Sequence, residues 1–355
     1  MLKILHTADL HIKQYGDERW KALQKLIEIG KREKIDIFVI SGDLFNSGVN
    51  AENLRGQVRE IFSNNNFKVL IIPGNHDKES YRSDMYFGED TVVLNNPLKP
   101  FERENIRIVG IPFEQMEGAK LINKIRFLKK DVLIGDKTNV LLYHGELLDT
   151  FFSRRDFGDE GEGRYMPVKL SYFKDLNIDY VLAGHFHSRF DVQKLENGGY
   201  FVYPGSPISI TKREIGPRKV NIFQVGKSPK EYLLDTPHFE EVAIEFDPIQ
   251  DKDPLEIIEK RISNLRPEAS IILTIKGFIN GKIIGMSETE LIKRIKEITT
   301  GKCIEEHCEV KDIQTILDDS LFKNFMNKLA QTDYEKEKKR QMRDVAIKAI
   351  TEVKL

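Results

Sequence analysis

The stretch IDIFVISGDLF, Ile35 to Phe45, decides how the rest of the chain is read. Ile35 to Ile40 is a β-branched and aromatic run of strand length. It delivers Gly42, which allows a tight turn, and then the carboxylate of Asp43. The same arrangement recurs on both sides of it. Leu2 to Leu5 precedes Asp9-Leu10-His11, and Val69 to Ile72 precedes Gly74-Asn75-His76-Asp77. Val140 to Tyr143 precedes His144-Gly145, and Tyr180 to Leu182 precedes Gly184-His185-Phe186-His187. Ile106 to Ile111 and Tyr200 to Tyr203 read as two further strands. Between the first two runs, Leu23, Leu26, Ile27 and Gly30 recur at helical spacing, which predicts a helix over Trp20 to Arg32. Strands alternating with amphipathic stretches predict an α/β layered body over residues 1–235.

Ligand sites of open α/β sheets lie beyond the carboxyl ends of the strands, so these five segments are expected to converge. Five of the eight histidines fall in them. Imidazoles and carboxylates without thiolates suit Mn²⁺, Fe²⁺ or Zn²⁺ rather than soft-metal or iron-sulfur chemistry. A carboxylate such as Asp43 can bridge two cations about 3.5–4 Å apart, an arrangement that clamps a phosphoryl group and acidifies the attacking water. His6 lies inside the first strand and reads as a core residue, and His238 and His307 are given no role.

The remaining composition narrows the class of protein. Of 355 residues, 40% are hydrophobic and 31% charged, which excludes disorder and collagen-like repeats. With Lys+Arg 55 against Asp+Glu 56, any nucleic-acid contact must use a local patch. Thr211 to Lys219, with Lys212, Arg213, Arg218 and Lys219 and only Glu214 as an acid, is the best such patch. No apolar run reaches the roughly 18–20 residues that span a membrane, and the start of the chain has no signal-peptide pattern. Two cysteines fit a reducing compartment, and a cytoplasmic protein is expected. Cys303 and Cys308 beside His307 fall short of a four-ligand zinc site, so ordinary packing is expected for them.

After Asp235-Thr236-Pro237 the pattern changes. Strands over Val242 to Phe246 and Ser270 to Ile275, with helices over Pro254 to Leu265 and Glu288 to Ile298, predict a small α/β domain over 236–319. Residues 320–355 predict two amphipathic helices, one with Leu321, Phe322, Phe325, Met326 and Leu329 in register, the other with Met342, Ala346, Ile350 and Val353. Their apolar stripes call for a partner surface.

Taken together, Asp9-x-His11, Gly42-Asp43, Gly74-Asn75-His76-Asp77, His144-Gly145 and Gly184-His185-x-His187 resemble the calcineurin-like metallophosphoesterase superfamily. The opening His6-Thr7-Ala8-Asp9-Leu10-His11, then Gly42-Asp43-Leu44-Phe45, Pro73 and Tyr203-Pro204-Gly205-Ser206 resemble its Mre-eleven/SbcD DNA-repair nucleases. The resemblance implies a two-sheet sandwich flanked by helices, a small capping domain over 236–319 and partner-binding helices over 320–355. It implies one Mn²⁺ held by Asp9, His11, Asp43 and His187 and a second by Asp43, Asn75, His144 and His185. His76 would stabilise the transition state or protonate the leaving oxygen, with Asp77 placed to orient it. The implied activity is DNA exonuclease or endonuclease action in double-strand-break repair, as a dimer with a Rad-fifty/SbcC-type ATPase.

One departure stands out. The family commonly has histidine after Gly-Asp-Leu-Phe, where this chain has Asn46. Asparagine still donates a hydrogen bond to phosphate but carries no proton or charge, which bears on exonuclease strength and polarity. The insert Ser153 to Tyr165 reads either as a mobile loop beside the metals or as a plain solvent loop. Two rival functions share these motifs: a small-molecule phosphodiesterase or protein phosphatase, and a weakly catalytic DNA-end-binding scaffold.

Overall fold

A computed structural model of the chain describes residues 1–49, 51–81, 86–133, 135–150 and 165–354. It divides into two units, Met1–Phe239 and Glu240–Leu355. The division falls slightly after the expected 235, and Phe239 is tied to the first unit where its carbonyl accepts from Gly216 N at 2.8 Å.

In chain order the strands of the first unit are β1 (Lys3–Thr7), β2 (Ile37–Ser41), β3 (Lys68–Ile72), β4 (Thr91–Val93), β5 (Phe101–Arg103) and β6 (Ile106–Ile111). They continue with β7 (Thr138–His144), β8 (Tyr180–Gly184), β9 (Asp191–Lys194), β10 (Tyr200–Tyr203), β11 (Lys219–Gln224) and β12 (Glu231–Leu233). They form two six-stranded sheets, ordered β12-β11-β1-β2-β3-β4 and β5-β6-β7-β8-β10-β9. Strands β1 to β4 run parallel, as do β6, β7, β8 and β10. The others pair antiparallel beside them.

The continuous apolar runs reflect burial on both faces of each sheet. Ile4, Ile37, Val39, Leu70 and Ile72 meet Ile108, Val140, Leu142 and Leu182 between the sheets. Their neighbours Leu5, Phe38, Ile40, Val69 and Ile71 face outward onto α1 (Glu18–Glu33) and α2 (Arg55–Ile61). Leu141, Val181 and Ala183 likewise face α3 (Gly118–Asp131) with Leu121, Ile125 and Leu128. Helix α1 starts where Asp17 accepts from Trp20 N at 2.7 Å, and it buries Trp20, Leu23, Ile27 and Gly30 along one stripe. The expected two-sheet sandwich flanked by helices is the observed architecture.

The second unit holds most of β13 (His238–Phe246), then α4 (Pro254–Ser263), β14 (Ala269–Ile279), α5 (Gly281–Ile284), α6 (Glu288–Thr299) and β15 (Cys303–Asp312). Its sheet runs β13-β14-β15, covered by Ile258 and Ile262 of α4 and Leu291 and Ile295 of α6. Strand β15 is absent from the sequence reading because its charged residues suit an edge strand and hide the alternation. A register shift between Ile271 and Ile272 puts Cys303 and Cys308 on one face, half-buried against the core, so ordinary packing holds for them. His307 points elsewhere and pairs with Glu309 at 2.9 Å.

The chain ends in α7 (Gln314–Leu317), α8 (Ser320–Ala330) and α9 (Lys336–Lys354). Phe322 and Ile347 are buried against Ile313 and Ile316, with Met326, Ala346 and Ile350 beside them. The two expected stripes therefore cover each other in part. Leu321 is 71% exposed and faces away from this cluster, and the side chain of Val353 lies outside the described residues.

Candidate metal centre

Loops leaving β1, β2 and β3 of one sheet meet the ends of β7 and β8 of the other, which brings all five motifs together. The meeting forces the backbone. Asp9, His11, Asp43 and His185 have φ of 56°, 50°, 52° and 90°, a left-handed region that costs non-glycine residues about 1–3 kcal/mol each. Neighbouring groups hold them there: Asp9 N donates to Gly42 O at 3.1 Å and His11 N to Asp43 O at 2.9 Å. His185 N donates to both oxygens of Asp9, at 3.1 and 3.0 Å. A Cβ at Gly42, whose φ is 96°, would run into the His144 ring. Gly42→Ala is therefore expected to cost about 1–3 kcal/mol through overpacking and to weaken divalent-metal binding. Calorimetric melting with and without Mn²⁺ checks this, and an unchanged Tm would mean that the loop yields at no cost.

Among the described residues, three sets of potential ligand atoms lie within 4.8 Å of one another: Asp9, His11 and His187; His11, Asp43 and His76; and Asp9, Asp43 and His144. His11 Nε2 and His187 Nε2 approach to 3.3 Å, and His187 Nε2 lies 3.7 Å from Asp9 Oδ1. Asp43 Oδ2 lies 3.2 Å from His144 Nε2 and 3.7 Å from His11 Nε2. His144 Nε2 also meets Asn75 Oδ1 at 2.8 Å, and the His144 and His185 rings stand 5.3 Å apart. Imidazole nitrogens turned toward each other and toward buried carboxylates need protons or cations among them. A divalent ion fits this donor set. Asn75 and His76 are half-buried while the other ligand candidates are buried, so the cluster meets solvent at that turn.

Without metal, protons take the place of cations. Burial opposes a charge on His144, but the Asp43 carboxylate overcomes it and raises the imidazole to about 10. Burial opposes a charged His187 as well, and Asp9 and Glu214 carry it to about 9. Burial raises Asp9 to about 6 against the pull of His187 and His144. It also works on Asp43, yet the surrounding histidines hold that carboxyl well below the usual range. His144 and His187 are thus protonated at pH 7–8, and metal binding must expel those protons. Apparent affinity for a divalent metal is expected to rise with pH from 7 to about 10, as first His187 and then His144 lose their protons. Calorimetric titration in buffers of different ionisation enthalpy reads the released protons, and binding with no release would contradict the site.

Comparison with known proteins follows the same residues. Residues 2–189, just over half of the chain, match the model of the family described as calcineurin-like phosphoesterase. The chain belongs to this family. It is 22% identical to the D subunit of the nuclease SbcCD of Staphylococcus saprophyticus, over 92% of this chain and 93% of that protein. It is 24% identical to the DNA double-strand break repair protein Mre11 of Saccharolobus solfataricus, over 61% of this chain and 57% of that protein. An uncharacterised metallophosphoesterase of Bacillus subtilis, YhaO, is 23% identical over 76% of this chain and 69% of that protein.

Within this phosphoesterase, the seven expected ligands Asp9, His11, Asp43, Asn75, His144, His185 and His187 lie together at one place. The expected partnership of His76 with Asp77 needs correction. Ser47 Oγ lies 2.5 Å from His76 Nδ1, whereas Asp77 accepts from Gly74 N at 2.9 Å, Phe45 N at 3.1 Å and Tyr81 OH at 2.9 Å. Asp77 thus ties the histidine's turn to the Asp43 loop. Burial and the nearby Asp43 raise its carboxyl to about 7. Asn46 is half-buried beside Ser47, and its N donates to Ile12 O at 3.0 Å.

The basic patch also needs correction. Arg218 is 2% exposed and spends its guanidinium on the carbonyls of His187, Ser188 and Ser206, so it cannot meet DNA. Lys219 begins β11 and pairs with Glu231 at 2.6 Å. Lys212 and Arg213 are exposed. Of the insert 153–165, only Tyr165 is described, its ring 4.7 Å from that of His185. Sequence reasoning missed Ser47, Tyr165 and Glu214. Only Glu214 left a trace, as a lone acid among cations.

Proposed function

We propose that this phosphoesterase is a Mn²⁺-dependent DNA nuclease of double-strand-break repair, the nuclease subunit beside a Rad-fifty/SbcC-type ATPase. What carries the reading is the span of the likeness to the D subunit of SbcCD: it runs through 92% of the chain, far past the 2–189 that match the general family. It takes in the second unit and the terminal helices, which a small-molecule phosphodiesterase or protein phosphatase does not call for. Manganese, a dimeric working unit and residence in the cytoplasm on the nucleoid come with this reading by resemblance.

One ion would be held by Asp9, His11, Asp43 and His187, the other by Asp43, Asn75, His144 and His185. When bound, such ions supply Lewis-acid charge to a phosphoryl group and lower the pKa of water. The chain's own contribution is preorganisation. Strained loops hold the ligands, and buried walls around all but Asn75 and His76 confine the phosphodiester to the open turn. His76, with Nδ1 directed at Ser47, is placed to give a proton or hydrogen bond to the departing 3′ oxygen. Lys212 and Arg213 remain candidates for the DNA backbone, and Asn46 is a candidate phosphate donor beside His76. The test is cleavage in Mn²⁺ of single-stranded DNA, blunt and overhanging duplexes, a cyclic nucleotide and a phosphopeptide. Turnover of DNA is expected. Turnover of only a small substrate or the phosphopeptide overturns the reading, and DNA binding with no turnover favours an end-binding scaffold.

An apolar groove on α8 and α9, lined by Phe325, Met342, Val345, Ala346 and Ala349, is the candidate seat for the ATPase. Val345 is 66% exposed, so a charge there leaves the fold intact. Val345→Glu is expected to abolish co-purification with the ATPase while DNA cleavage by the isolated subunit persists. Unchanged co-purification would move the partner surface elsewhere.

A further inference from the structure

The segment from Ser206 to Arg218 is fastened to the back of one candidate ligand. His187 turns Nε2 toward His11 and Asp9, and its other ring nitrogen, Nδ1, faces Glu214 Oε1 at 3.4 Å. Glu214 is fully buried, so it contributes nothing to a solvent-facing patch. Its carboxylate is fixed on four sides. Oε2 accepts from Ser206 Oγ at 2.9 Å and Ile210 N at 2.8 Å, and Oε1 from Thr211 N at 3.3 Å and Thr211 Oγ1 at 3.2 Å. Arg218 holds the other end of the same histidine. Its guanidinium donates to the His187 carbonyl, to Ser188 O at 3.1 Å and to Ser206 Oγ at 3.1 Å. Ring and backbone of His187 are thus gripped by two buried side chains of one segment, Glu214 and Arg218.

A neutral imidazole that gives its Nδ1 proton to a carboxylate presents the Nε2 lone pair on the opposite edge. We propose that Glu214 is a positioning residue for the metal centre, which fixes the tautomer and direction of His187 toward the ion shared with Asp9, His11 and Asp43. The proposal rests on the two-ion reading above. It predicts an asymmetry, because among the seven ligand candidates Glu214 meets only His187 in this network. One ion depends on Glu214 and the other does not.

The experiment is Mn²⁺ titration of the metal-free, full-length protein, with free Mn²⁺ followed by electron paramagnetic resonance, for the wild type, Glu214→Gln and Ser206→Ala. Wild type is expected to take two ions. Glu214→Gln preserves size and an acceptor oxygen but removes the charge. It is expected to weaken one ion by about 10–100-fold, the usual effect of losing such a supporting carboxylate, with the affinity for the other ion unchanged. Ser206→Ala, which keeps the carboxylate but loosens it, is expected to weaken the same ion by less, and it decides the matter if Glu214→Gln fails to fold. Equal affinity for both ions in the variants overturns the proposal. So does parallel weakening of both ions with a lowered metal-free melting temperature, the mark of a merely structural role. A wild type that takes fewer than two ions overturns the two-ion reading itself and this inference with it.

Discussion

Asp43→Ala is expected to lower phosphodiester cleavage by about 10³-fold or more and to leave the fold standing. Asp43 Oδ2 lies 3.7 Å from His11 Nε2 and 3.2 Å from His144 Nε2, between the two proposed ions, so its loss takes a ligand from each. Such ions contribute several kcal/mol of transition-state charge stabilisation, and each ~1.4 kcal/mol is tenfold in rate. A second loss comes from the backbone, where Asp43 Oδ1 accepts from His76 N at 2.9 Å and so fixes the His76 turn. The fold survives because the partners are histidines. Once the Asp43 charge is gone, burial dominates at His144, and its pKa falls from about 10 to leave a neutral ring instead of an uncompensated buried charge. Circular dichroism melting beside the cleavage assay checks both halves. Full activity in the variant would refute the bridging role.

His76→Ala is expected to reduce cleavage of DNA by about 10²–10⁴-fold, the usual worth of a positioned general acid, while metal stoichiometry is unchanged. His76 is half-buried at the mouth of the cluster, its ring 4.7 Å from that of His11, and Ser47 meets its Nδ1. A phosphodiester with a nitrophenolate leaving group needs no proton on departure, so its cleavage should fall far less than that of DNA. Equal losses on both substrates, or the loss of an ion, would assign His76 to the metal site.

Much of this centre was legible in the sequence because each ligand follows a strand, and strand ends on one edge of a layered α/β fold converge whatever their separation. Asp9 and His187 are brought together across 178 positions by that rule alone. What stayed hidden was tertiary. Nothing in Gly74-Asn75-His76-Asp77 tells that the carboxylate of Asp77 turns toward Phe45 N and Tyr81 OH, or that Ser47 reaches the ring of His76. Arg218 and Lys219 look like a surface patch until the fold turns Arg218 onto the carbonyls of His187 and Ser188 and pairs Lys219 with Leu233 of β12. The edge strands β4, β5, β9 and β12 are three or four residues long, too short for a period to register. In the second unit β15 escaped notice because its outward face is charged.

The most direct test of the central claim is an anomalous-difference map from a crystal loaded with Mn²⁺. The account predicts two peaks, one among Asp9, His11 and His187 and the other among Asn75, His144 and His185, both within coordinating distance of Asp43. A single peak, or peaks away from Asp43, would contradict it.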